Sequence, residues 1–262
     1  MLPKKITDKW RSDYDKQLIK AEKKFIPKIS RYYQQEYNIG IKNFIETGDT
    51  GYTTLFKYGF FNDIYLELYN DISMQFAFWY ARNFEDYESK KNPRDYTDTW
   101  RNAFNYFAGK VAATNVSLVS GTAKKTLIRI TQRLFRDPNF TTLGAGEKAR
   151  ILRSKFKRYS QVQAERLVRT EACRAASYGI EQSALQVYAG RNLKKQWVAY
   201  VDDRTRDWHI AVNGDVQDFE KPFLVGGEQM MRPGDGSGYN VINCRCSMIP
   251  FPAELESTIL SI

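Results

Sequence analysis

Apolar residues recur at three- and four-residue intervals through most of the first 190 positions, and that period predicts helices. Trp10, Tyr14, Leu18, Ala21, Phe25, Ile29, Tyr32, Ile41 and Phe44 fall on one stripe of an amphipathic helix from Trp10 to Ile45. Pro27 sits inside that pattern and predicts a kink or a split. Gly48-Asp49-Thr50-Gly51 reads as a turn, and a second stripe through Leu55, Tyr58, Ile64, Leu68, Ile72 and Trp79 predicts a second helix. It ends in the polar stretch 85–92 before Pro93. Residues 97–136 read as further helix, broken by Asp137-Pro138-Asn139 ahead of a small loop at Gly144-Ala145-Gly146. Ser160 is a candidate N-cap for a helix running to about Ala189, with Gly190 as its stop.

After Gly190 the pattern changes character. Gln196 to Val201 is a β-branched and aromatic run that predicts a strand. Asp203 could cap a helical turn carrying His209, and Asn213-Gly214 is a hairpin-tip signal. Gly226-Gly227, Pro233 and Gly234-Asp235-Gly236-Ser237-Gly238 mark loops, and a last strand lies within 239–251. The predicted class is α+β: a mostly helical N-terminal region followed by a small mixed α/β C-terminal domain with short antiparallel strands. The expected division is a helical, partner-binding region 1–140, a basic helical segment 141–190 and an α/β cassette 191–262. Aromatic residues are dense in the first region, and rings in excess of one core would suit a partner interface.

Charge sharpens this division. Residues 1–190 hold 32 Lys and Arg against 20 Asp and Glu, whereas residues 191–262 hold 8 against 10. Between Lys124 and Arg174 there are 14 basic residues and four acidic ones. Phosphate neutralisation there, with counterion release, would give sequence-independent and salt-sensitive binding to nucleic acid. Lys124, Lys125, Arg129, Arg150, Arg153, Lys155, Lys157 and Arg158 are the candidate contacts. A solvated helix face, or a surface docking on an acidic protein, fits the same composition. No stretch approaches the roughly 20 apolar residues that cross a bilayer, so no membrane is required. Three cysteines do not make a disulfide framework, and with a charged N-terminus they suit a reducing cytosol.

The rare chemistry lies in the cassette. The single histidine, His209, follows Asp202-Asp203-Arg204-Thr205-Arg206, and two of the three cysteines are in Asn243-Cys244-Arg245-Cys246. Cys244 and Cys246, two apart, face the same way if extended, and with His209 they make three potential zinc ligands. Cys173 or an acid would supply a fourth. The C-x-C spacing is not that of a structural zinc knuckle, and reduced thiols in a small core, with no cofactor, is the other reading. On the long helix one register aligns Ala164, Val168, Glu171, Ala175, Tyr178, Gln182 and Leu185. Glu171 on that stripe must be paired or must act, because an unpaired buried carboxylate is costly. The expected partner is a cassette arginine, Arg204, Arg206 or Arg245. An enzyme would use His209 as general acid or base, these arginines to hold anionic charge, and Glu171 as a second carboxylate. No phosphate loop, G-x-S-x-G, H-E-x-x-H or paired-acid signature fixes such a geometry.

In this order the residues resemble the phage Mu protein F-like head morphogenesis proteins, the minor head proteins of tailed phages. Arg169-Thr170-Glu171 matches the first element of the pattern. Asp202, Arg204, Thr205, Arg206, His209 and Gly214 match the second, Pro233 and Gly234 the loop, and Asn243, Cys244, Arg245 and Cys246 the close. The match covers roughly residues 150–250, and its loop, Arg232 to Gly238, is longer and richer in glycine than the usual form. The resemblance implies a minor capsid protein of the virion head, assembled in the host cytoplasm at the portal vertex. The implied partners are the portal protein, scaffold or major capsid protein, and double-stranded DNA, with roles in head assembly and in packaging or delivery. The alternative is a phage-encoded nuclease or transferase effector built on His209, Glu171 and the arginines.

Overall fold

The computed structural model describes residues 1–48, 55, 58–84 and 92–255. Four long helices carry most of the chain: α1 (Lys4–Thr47), α2 (Tyr58–Asn83), α3 (Thr97–Phe135) and α5 (Ala145–Val187). A 3-10 turn, Pro93–Tyr96, leads into α3, and the short α4 (Pro138–Thr141) follows it. Asp137 caps α4 by accepting from the Asn139 amide, with Pro138 at the first helical position. The predicted turn at 49–51 and the polar stretch 85–91 lie outside the described residues. Among the described residues, no helix is long and apolar enough to cross a membrane.

All nine residues of the first predicted stripe are buried. Pro27 does not split α1. It is exposed, and the helix continues through it because flanking Phe25 and Ile29 are both anchored in the core. Ser160 is not a cap: α5 has already run about four turns there, and the Ser160 hydroxyl donates back to the Phe156 carbonyl at 2.7 Å. Of the predicted loop at 144–146 only Gly144 lies outside a helix, since α5 begins at Ala145.

Chain order does not set compactness. One compact unit comprises residues 1–23, 68–107 and 166–262, and the other residues 24–67 and 108–165. The expected division at 140 and 190 follows element type and charge, whereas these units cut the chain through its long helices. Two cores absorb the aromatic residues that one small core could not. In the first unit Trp10, Tyr14, Phe76, Trp79, Tyr80 and Phe84 interlock at ring separations of 4.6–6.3 Å. In the second, Tyr32, Tyr33, Tyr37, Phe61 and Phe156 do the same.

Within the first unit α2 and α5 meet along small residues. Gly179 packs so closely on Ser73 that an added Cβ would lie 2.3 Å from the Ser73 carbonyl oxygen. Ser73 and Ser183 hydroxyls donate across this seam to the Ala175 and Ala77 carbonyls, each at 2.9 Å. The same unit holds a three-stranded antiparallel sheet of order β2-β1-β5, formed by β1 (Leu193–Val198), β2 (Val216–Asp218) and β5 (Ser247–Pro252). Its register sets Gln196 opposite Val216 and Ile249. Pro250 and Pro252 are tolerated because β5 is an edge strand. Tyr80 of α2 donates to the Pro250 carbonyl at 2.8 Å and Trp10 of α1 to Ser247 Oγ at 2.9 Å, which ties that edge to the helices.

The cassette's remaining elements are α6 (Asp207–Ala211), the β3 (Phe223–Val225) and β4 (Glu228–Met230) hairpin, and α7 (Gly238–Val241). The two-residue hairpin tip is Gly226-Gly227, both at positive φ, as a primed turn demands. Asn213-Gly214 instead links α6 to β2: Gly214, at φ 93, donates to the Trp197 carbonyl at 2.8 Å. Arg206, not Asp203, occupies the cap position of α6. Asp203 lies too far upstream, because residues 202–205 form a turn around Asp202.

Candidate functional site

The motif residues fall in the first unit: Arg169, Thr170 and Glu171 within α5, His209 on α6, and the others in the segments after β1, before β2 and before β5. Arg169-Thr170-Glu171 lies on three sides of α5 and makes three connections. Arg169 Nε donates to Glu22 of α1 at 3.2 Å. Thr170 Oγ1 accepts from the Asn243 amide at 3.0 Å, which holds Asn243 in its left-handed conformation at φ 58. Glu171, 5% exposed, accepts from the Tyr69 hydroxyl of α2 and from Arg174 Nη1 at 3.1 Å. Burial first, and the neighbouring Glu171 carboxylate second, push the Tyr69 phenol well above its ordinary range.

The expected cassette arginine is thus not the partner of Glu171. Arg174, one helical turn away, is already in place at no loop-closure cost, and its Nε also donates to the Gly234 carbonyl at 2.7 Å. The three cassette arginines go elsewhere. Arg245 Nη2 donates to both Asp202 oxygens at 2.8 and 2.7 Å and its guanidinium lies 4.1 Å from the Tyr200 ring centre. Arg204 also pairs with Asp202 at 3.2 Å, and Arg206 donates to the Ile242 carbonyl at 2.9 Å. Burial works to raise the Asp202 carboxyl, but Arg245, the Thr205 hydroxyl and the Arg204 amide together hold it well below the usual carboxylate range.

His209, 1% exposed, faces Cys244 and Cys246, which are 3% and 2% exposed. Its Nδ1 lies 3.4 Å from Cys246 Sγ and 3.7 Å from Cys244 Sγ, and the three donor atoms are within 4.8 Å of one another. Cys173 of α5 joins this cluster, donating to the Cys246 carbonyl at 3.3 Å. Hydrogen bonds from Cys173 and then Cys246 pull the Cys244 thiol down, whereas Cys173 and Cys246 are pushed up by bonding to Cys244 and by burial. All three are free thiols.

Asn240, which carried no sequence signal, organises the histidine. Its Oδ1 accepts from Trp208 Nε1 at 2.7 Å and faces His209 Nε2 at 3.3 Å, while its Nδ2 donates to the Val225 carbonyl at 3.1 Å. A second buried network was equally silent. Lys195, opposite Pro250 in the sheet, donates to the Met231 carbonyl at 2.7 Å. Arg232 pairs with Glu181 of α5 at 2.9 Å. With Arg174 on Gly234, that pair docks the glycine-rich loop onto α5.

In the second unit the basic candidates separate. Arg129 and Arg133 of α3 and Lys155 and Arg158 of α5 line one groove of about 930 Å³ together with Ile130, Leu134, Asp137, Tyr159 and Val162. Lys125, Arg153 and Lys157 are exposed and Lys124 half-buried, but these do not line it. Arg150 is engaged one turn back by Glu147 at 2.5 Å.

A family model described as phage Mu protein F like protein matches residues 113–249, just over half of the chain. The chain belongs to the phage Mu protein F-like family. The match begins in α3 and so reaches further back than the motif residues alone. Membership of this family makes it a phage head morphogenesis protein at the level the family describes. The chain is also similar to an NAD(+)–arginine ADP-ribosyltransferase of Enterococcus faecalis, 34% identical over 92 residues. That match covers 34% of this chain and 19% of the relative, so the chain spans about a fifth of its length. No solved structure matches.

Proposed function

We propose that this Mu F-like chain is a minor head protein of the portal vertex that binds double-stranded DNA without sequence preference during head assembly and genome packaging or delivery. The observation that carries the DNA reading is the α3–α5 groove, where Arg129, Arg133, Lys155 and Arg158 converge on one concavity and Asp137 is the acid among its lining residues. Cations gathered in a groove focus potential in a way that a scattered basic surface does not. Portal association, with scaffold or major capsid protein as further contacts, rests on the family resemblance. The motif residues serve the fold in this reading: His209 and Glu171 are buried, and Asn240, Tyr69 and Arg174 take up their polar atoms. This arrangement favours a head protein over a nuclease or transferase effector using the same residues.

Filter binding of unrelated DNA duplexes across a salt series tests it. Each phosphate contact contributes about −0.9 to the slope of log K against log salt, so Lys155→Ala with Arg158→Ala should flatten the slope by about 2 units and weaken all duplexes alike. Unchanged affinity and slope would refute the groove. Imaging of intact particles should place the chain at the portal vertex; density elsewhere on the head would refute that part.

A further inference from the structure

We propose that His209, Cys244, Cys246 and Cys173 form a structural site for a soft divalent metal, zinc in the first instance. Among 262 residues the chain has three cysteines and one histidine, and the fold brings all four to one place from α5, α6 and the segment before β5. Hydrophobic packing alone has no need of that coincidence.

The geometry is that of a donor set. Tetrahedral zinc, with bonds of about 2.3 Å to sulfur and 2.0–2.1 Å to nitrogen, places neighbouring sulfur and nitrogen donors about 3.6 Å apart. The two observed separations, 3.4 and 3.7 Å, bracket that value. The tautomer is also set. Trp208 Nε1 can only donate and the Val225 carbonyl can only accept, which fixes the orientation of the Asn240 amide between them. Asn240 Oδ1 therefore faces His209 Nε2, which must carry the proton, and the Nδ1 lone pair points at the two sulfurs. An outer-shell oxygen holding the far ring nitrogen is the usual support of a ligating histidine.

Cys173 is the fourth ligand. Its thiol donates to the Cys246 carbonyl at 3.3 Å and is buried in one cluster with Cys244 and Cys246, beside the three donor atoms that lie within 4.8 Å of one another. Each thiol that coordinates gives up its proton to solvent, so the metal binds more tightly as pH rises. The site would pin α5, α6 and the start of β5 together at the centre of the cassette, a role for these residues that needs no catalysis.

The test uses the full-length chain, prepared without oxygen from zinc-supplemented medium. The expected result is one zinc per chain, and after its removal a cobalt titration giving sulfur-to-cobalt charge-transfer absorption with the visible bands of a tetrahedral site. Cys244→Ser, Cys246→Ser and Cys173→Ser should each lose the bound metal. His209→Cys should keep it and shift the charge-transfer band, a rescue that packing cannot produce. Asn240→Ala should weaken binding about 10- to 100-fold. Should the serine variants fail to fold, chelation of the wild-type chain remains decisive: it should lower the melting midpoint and open the thiols to a disulfide reagent. A folded wild-type chain with three reduced thiols, no zinc and no cobalt charge-transfer band overturns the site. A Cys173→Ser chain that binds cobalt with full affinity overturns the fourth ligand.

Discussion

Replacing Glu171 by alanine takes an acceptor from the Tyr69 hydroxyl and a carboxylate from Arg174, both inside the first unit. Breaking a buried ion pair from one side costs on the order of 3–5 kcal/mol. Here the lower part of that range applies, because the Arg174 side chain is 14% exposed and its Nε keeps the Gly234 carbonyl. A buried hydroxyl deprived of its acceptor adds about 1–3 kcal/mol, though the two losses share one group and do not simply add. The expected total is about 4 kcal/mol, or roughly 8–16 °C in melting midpoint at 2–4 °C per kcal/mol for a chain of this size. Glu171→Gln keeps an acceptor for both donors and should cost about 1–2 kcal/mol. The assay is thermal and denaturant unfolding of the full-length chain, since residues 1–23 and 68–107 build the same unit as 166–262 and a fragment starting at 150 would lack Tyr69. An alanine variant with an unchanged or raised midpoint would refute a structural role for Glu171 between α5 and α2 and shift weight to a catalytic one, whose removal relieves strain.

Two helical glycines should respond with opposite sign: Gly179→Ala drives a Cβ into the Ser73 backbone and should cost at least about 1–3 kcal/mol, whereas Gly121→Ala meets nothing within 4 Å and should gain about 0.5–1 kcal/mol. Equal effects in denaturant melts would refute the tight α2–α5 seam. Burial pushes the Lys195 ammonium down to about 8, against the pull of Glu181. The unfolded chain, with an ordinary lysine near 10.4, then binds more protons between about pH 8 and 10, so stability should rise with pH in that window by up to about 3 kcal/mol. Lys195→Met should abolish the rise; parallel stability curves for the two chains would contradict it.

The α1 stripe was legible because each core accepts one face of that helix, and a one-sided pattern keeps its period. The α5 register was legible only in part. Ala164, Val168, Glu171 and Ala175 are buried as aligned, but Tyr178 and Gln182 are half-buried and Leu185 is exposed, while Ala176, Ser177, Ile180 and Ser183 are buried off the stripe. That half of α5 is enclosed on nearly every side, so its sequence runs to small residues all round and carries no amphipathic period. The interleaved units were not legible for a related reason: a 44-residue helix passing through two cores has the same repeat as one lying on a single core. Nor did the charge count separate cations facing solvent from those spent inside. Arg169 and Arg174 were counted in the basic segment, yet Glu22 and Glu171 engage them within the first unit.

In the cassette, residue type was legible and pairing was not. Rarity marked His209, Cys244 and Cys246 as a group, because histidine and cysteine occur almost nowhere else in the chain. Which acid meets which arginine depends on distances across sequence separations of 43 residues for Asp202 with Arg245 and 51 for Glu181 with Arg232, and nothing local encodes them. Once those pairs are in place the motif acquires a physical logic. Arg169, Thr170 and Glu171 reach α1, the Asn243 backbone and α2 from successive positions of one turn. Asp202 with Arg245 closes the turn after β1 onto the segment before β5, and His209 with the cysteines fills the space these straps enclose. A motif of this kind constrains how helices and sheet are held within one unit. None of the motif residues lines the groove of the other unit, where Arg129, Arg133, Lys155 and Arg158 converge.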